Sequence, residues 1–319
     1  MASLRFLLAM AAFVALLFGT PASGTVSPAG HWALKAEGRI LSTLTLEQSK
    51  NDGSWIGTLS RPAAMESFRG SFYDVSGPIS NFRVSGRDVG DGRLELSVAN
   101  DKSPSISVTF LFEIVDRDHA ALQPKGAGVE PWMLGRTATA EAIFDRWNPR
   151  EMYAADANWP SNAEMKRIFD EDQAVRQNPA TIDWKIVSRD DEARRQQTRK
   201  LLDAGKLRSG DDFFHAAFIF QHGETPDDYL LAHTLATIAN GRGSRDATWI
   251  AAATLDRYLQ NIGQRQIYGT QYRGAPNGGM TQEPYDKLLI SDALRAAMGV
   301  PPLDEQEKQR KKMEAGQKR

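Results

Sequence analysis

The hydrophobic pattern of this chain changes period once, near Trp147, and that change constrains the fold more than any other feature. From about Gly30 to Trp147 the pattern has period two. In Arg93-Leu-Glu-Leu-Ser-Val98, leucine and valine alternate with polar residues, and from Ile106 to Ile114 one face carries Ile106, Val108, Phe110, Phe112 and Ile114. Such alternation marks strands with one buried face. Turn signals separate them at Asn51-Asp52-Gly53, Gly90-Asp91-Gly92 and Asn100-Asp101. The spacing predicts an antiparallel meander, closed into a barrel or folded into a sandwich.

Beyond Trp147 the grammar is helical. Ser161 with Glu164 forms a capping box before a helix to about Gln177, and Pro179 interrupts. Ser188 with Asp191 starts a second helix that stops near Gly205. Further helices are predicted from Asp211 to His222, from Thr225-Pro226 to Asn240, from Ser244 to about Ile262, and from Pro284 to Met298. The charged end of the chain reads as a frayed, solvated helix or disorder. The fold class is therefore α+β in two domains. An antiparallel β domain over 25–147 is followed by a linker over 148–160, an all-α domain over 161–300 and a tail over 301–319.

Residues 1–24 read as a secretory signal: Arg5, an apolar run from Phe6 to Phe18, then small residues at Ala22-Ser23-Gly24. The run is short of the ~20 apolar residues of a spanning helix. Export to the periplasm or beyond is expected, with no membrane span once the signal is removed. The chain has no cysteine, which excludes disulfides, thiolate zinc sites and a cysteine nucleophile. A formal net charge of −1 provides no global field for nucleic acid.

The chain has no Gly-x-Ser-x-Gly elbow, P-loop, His-Glu-x-x-His or dinucleotide fingerprint, and no cofactor is implied. The chemistry-bearing residues cluster in the helical half. Gln221 and His222 end a helix that is apolar all round, and Asp256 and Arg257 do the same in "ATWIAAATLDR". Helices of that kind are buried, so their terminal polar groups need partners. The segment after them is rich in amides. If Gln264 to Tyr272 is extended, Gln264, Gln266, Tyr268, Thr270 and Tyr272 share a face. With Gln271, they could serve the protein's own polar groups or bind an elongated polar ligand.

Two resemblances rest on these residues. Gly30-His31-Trp32 resembles the Gly-x-Trp start of lipocalin-like barrels, which implies a Trp plugging one barrel end with Arg136 packed across it. The ordered set Gln221-His222, Asp256-Arg257 and Gln266-Ile-Tyr268-Gly269-Thr270-Gln271 resembles a bacterial family described only as a domain of unknown function. It covers roughly residues 165 to 275 and carries no activity.

The favoured reading is an exported binding or interaction protein. Its site comprises Gln221, Arg257, Gln264, Gln266, Tyr268 and Gln271, and its partner is a small polar ligand or peptide. An alternative is a hydrolase with His222 as general base and Asp256 orienting it. Two further readings are a structural envelope protein and a buried ion network that fixes the fold. A metal is not expected: His215 and His222 share a helix face, but seven residues of helix span ~10.5 Å, too far for one ion. His233 sits on the next helix.

Overall fold

The computed structural model describes residues 26–317 except 69, 101–102, 127–128, 178–182 and 277. The expected signal segment, Asp101 of one turn, and Pro179 fall outside the described residues. Backbone contacts divide the chain into two compact units, with the break between Ala155 and Asp156.

The first unit is built from β1 (Gly30–Ala36), β2 (Arg39–Gln48), β3 (Trp55–Phe68), β4 (Ser71–Gly90), β5 (Arg93–Asn100), β6 (Ser103–Ile114), β7 (His119–Pro124) and β8 (Trp132–Thr137). Each strand pairs antiparallel with the next, and β8 returns to β1, Leu34 opposite Leu134. The meander therefore closes into an eight-stranded barrel, which decides between the two predicted β architectures. Inward positions recur every second residue, as in Leu94 and Leu96 or Phe110 and Phe112, all buried. Strong curvature needs close strand approach, and Gly57 supplies it. A Cβ there would lie 2.0 Å from the Thr45 carbonyl oxygen.

Trp32 of β1 is fully buried in the barrel core, its ring 5.4 Å from that of Phe112. The Arg136 guanidinium lies 4.1 Å above the Trp32 ring. It donates to the carbonyls of Ala29 and Ser27 at 2.8 and 2.7 Å. The residues expected as linker are partly packed. Strand β9 (Tyr153–Ala154) adds to β4, and Tyr153 is buried 4.6 Å from the ring of Trp147.

The second unit holds α1 (Ala163–Ala174), α2 (Trp184–Asp203), α3 (Gly210–Gln221), α4 (Pro226–Gly241) and α5 (Ala247–Asn261). The short β10 (Arg273–Gly274) and β11 (Met280–Thr281) follow, then α6 (Asp292–Ala297) and α7 (Leu303–Gln317). Alanine-rich faces let α3, α4 and α5 pack closely around Ala216, Ala217, Ala236, Ala239 and Ile250. Capping boxes at Ser209–Asp212 and Thr225–Asp228 start α3 and α4. No helix among the described residues is long and apolar enough to cross a membrane.

Four expectations are corrected. Helix α1 is capped by Asn162, whose side chain accepts from the Met165 amide at 3.0 Å, whereas Ser161 meets the Ser209 hydroxyl. Helix α2 starts at Trp184 under an Asp183 cap, four residues before Ser188, because the earlier cap has no helix breaker after it. The segment from Pro284 is not helical until Asp292; Asp286 instead donates its amide to the Gln266 carbonyl at 2.9 Å. The tail is not merely solvated, since Gln306 of α7 is 1% exposed.

Candidate functional site

The expected extended strand from Gln264 to Tyr272 is an irregular loop wrapped around one carboxylate. Asp256 projects from the last turns of α5 and is fully buried. It accepts from the amides of Ile267, Tyr268 and Thr270 at 2.8, 3.0 and 2.9 Å, and from the Thr270 hydroxyl at 2.8 Å. Both oxygens are thus satisfied by donors that only a folded-back loop can converge. The loop makes one isolated bridge, Gln266 to Tyr285.

The glutamines complete the wrap. Gln266, fully buried, accepts from the Gln271 amide and donates to the Gln271 carbonyl, both at 3.0 Å. Gln271 donates to the Ala253 carbonyl at 3.0 Å and accepts from Arg257 Nε at 3.1 Å. The Tyr268 carbonyl accepts from the Tyr285 hydroxyl and from Gln306 at 3.0 and 2.9 Å. Gly269 sits at φ +84, and a Cβ there would fall 2.1 Å from Gln306 Oε1, so the loop needs glycine at this point. Gln264 is exposed and does not join the network. Burial, with Asp256 nearby, pushes the Tyr268 phenol up.

His222 belongs to a different cluster. Its Nδ1 meets Asp172 Oδ1 at 3.1 Å, and no hydrogen bond joins His222 to Asp256 among the described residues. Asp172 and Asp191, both buried, are bridged by Arg176 at 2.7 and 2.6 Å, and Arg194 holds Asp191 at 2.9 Å. Asp172, Asp191 and His222 could present three ligand atoms within 4.8 Å of one another. Two arginines already neutralise the two carboxylates, however, and a cation would have to displace them. The other expected histidines have separate partners. His215 stacks on Phe169 at 4.2 Å, and His233 Nδ1 meets the Ala251 carbonyl at 2.9 Å.

The barrel contains the feature that the sequence reading missed. A cavity of about 170 Å³ lies inside it, walled by Leu34, Leu44, Leu59, Phe110, Leu122 and Trp132 among others. Val108, half exposed, and Met65 also line it. Its polar wall is Ser42, whose hydroxyl is spent on the Ser60 carbonyl at 2.9 Å, and Arg61.

Arg61 lies at the inward phase of β3, two residues after Leu59. Its Nη1 donates to the Pro62 carbonyl at 3.1 Å, and its guanidinium lies 4.7 Å from the centre of the Phe82 ring. It forms no ion pair among the described residues. Burial pulls its pKa down, and Glu66 acts on it through space in the other direction. A charge at a core phase in Trp55-Ile-Gly-Thr-Leu59-Ser-Arg61 was the available signal in the sequence.

An eight-stranded closed barrel with an internal apolar cavity and a separate helical unit is the class of protein these features define. Comparison with protein-family models, curated proteins and solved structures finds no match.

Proposed function

We propose that this is a binding protein whose barrel takes up a compact apolar ligand with an anionic end, Arg61 supplying the counter-charge. The observation that carries the reading is a half-buried guanidinium that lines a largely apolar cavity and forms no ion pair among the described residues, Glu66 acting on it only through space. Removing a cation from water is costly unless it is paired. A carboxylate entering the barrel would supply that pair and a charge-assisted hydrogen bond. Ligand sites typically combine apolar walls with a few polar groups that fix orientation.

The cavity volume bounds the ligand. An engineered apolar cavity of about 150 Å³ holds benzene, so an aryl group or a short acyl chain fits and a long lipid does not. The stacking of Arg136 on Trp32 supports a lipocalin-like reading of the barrel. The signal-like first segment supports export, so the ligand would be met outside the cytoplasm. The polar loop around Asp256 supports a structural role, because its groups are spent on one another.

Calorimetric titration with straight-chain carboxylates tests this reading. Each methylene that enters should add up to ~0.8 kcal/mol, and the gain should stop when the cavity is full. Arg61→Gln should weaken octanoate by at least about tenfold while leaving octanol unchanged. Equal losses for acid and alcohol, or no binding of either, would reject Arg61 as the counter-charge.

A further inference from the structure

The carboxyl end of α3 carries two arginines that no carboxylate neutralises. Helix ends leave carbonyls without intrahelical donors, and here two adjacent ones are met by guanidinium groups from different helices. Arg257 Nη1 of α5 donates to the Gln221 carbonyl at 2.6 Å, and Arg195 Nη1 of α2 donates to the His222 carbonyl at 2.8 Å. Both act on Tyr229, in the first turn of α4. The Arg257 guanidinium lies 5.6 Å from the centre of its ring, and both arginines lower its phenol pKa against the upward push of burial.

This arrangement differs from the neighbouring charge cluster. There, Asp172 and Asp191 offset Arg176 and Arg194. Here Asp256, next to Arg257 in sequence, is saturated by loop donors, and burial pulls the Arg257 pKa down with only Tyr229 opposing it. Of the acids acting on Tyr229, Asp228 is spent capping Thr225, while Glu224 is exposed and bonded to neither arginine. A guanidinium offers five N–H donors. Arg257 has used Nη1 and Nε, and Arg195 has used Nη1.

An independent observation comes from Gln221. Its residue is 8% exposed, and its carboxamide has no hydrogen-bond partner among the described residues. The fully enclosed side-chain atoms without partners lie elsewhere, at Trp147 Nε1, Thr198 Oγ1 and His215 Nδ1 among others. The Gln221 carboxamide therefore keeps some access to solvent. An amide that is not spent within the protein is free to be offered to a ligand.

We propose that the carboxyl end of α3 is an oxyanion-binding site, with Arg257 and Arg195 as paired donors and Gln221 as the adjacent amide. Its ligand class is a phosphate or carboxylate group, whose oxygens match the planar guanidinium fork. The site is separate from the barrel cavity and does not depend on it.

Calorimetry on the full chain with inorganic phosphate and with acetate, at ionic strength held constant with chloride, tests the proposal. Submillimolar binding of at least one anion is expected. Arg195→Gln should weaken it by at least about tenfold with an unchanged circular dichroism spectrum, because Arg195 is partly exposed. Gln221→Leu, which keeps the shape, should also weaken it, and Arg61→Gln should not. A response to phosphate alone would assign a phosphoester-type ligand, and a response to acetate alone a carboxylate; either supports the site. No binding of either anion at millimolar concentration, or undiminished binding in folded Arg195→Gln and Gln221→Leu, would overturn it.

Discussion

Asp256 accepts four hydrogen bonds and forms no ion pair among the described residues, and this single carboxylate organises the loop from Ile267 to Thr270. The buried position and the supply of amide partners were legible, because the preceding helix is apolar and the following segment is amide-rich. Which groups pair was not legible, since backbone amides leave no trace in side-chain composition. Asp256→Asn keeps the volume but presents an amino group to two of the four donors. We expect a loss of about 3 kcal/mol, from charge-assisted bonds lost and donors left buried. Urea titration measures it. A change within ±0.5 kcal/mol would mean that the loop does not depend on the carboxylate. Arg61 was equally visible, but an isolated charge at a core phase has no meaning until closure shows what it faces.

The period-two strands were readable as elements because each has one apolar face against a common core. The segment from Gln264 to Tyr272 also alternates, but neither of its faces is apolar. Its organising partner is a point charge rather than a neighbouring strand, and so it folds back instead of extending. Helix α7 misled for the complementary reason. Its sequence is dominated by Glu, Lys and Gln, and its most buried anchor is Gln306, with Arg310 donating to the Met280 carbonyl at 2.9 Å beside it. The Gln306 side chain donates to the Tyr268 and Pro301 carbonyls at 2.9 and 2.8 Å. It accepts from Gln282 and the Tyr285 hydroxyl at 2.9 and 3.1 Å. No hydrophobic pattern records such an anchor. Gln306→Ala should cost about 2 kcal/mol by leaving several of these groups unpaired, read as a lower melting temperature of the helical unit. A merely solvated tail would show no change.

In the whole molecule, the hydrophobic period changes near Trp147, and backbone contacts divide the chain into two compact units after Ala155. Barrel closure rests on the pairing of β8 with β1, which the alternating pattern alone does not distinguish from a sandwich. The cavity has no counterpart in that pattern, because an internal volume is the small difference between the space the strands enclose and the side chains that fill it. Ser42 and Arg61 stand where larger apolar residues would have filled the interior. We propose that this space receives an apolar group whose charged end meets Arg61. The most direct measurement is methyl NMR of the leucine-labelled full chain titrated with octanoate. Saturable shifts and ligand contacts are expected at Leu34, Leu44, Leu59 and Leu122, which line the cavity, with a matching change at the Arg61 guanidinium. Cavity leucines unmoved at saturating ligand, or shifts confined to residues outside the barrel, would contradict it.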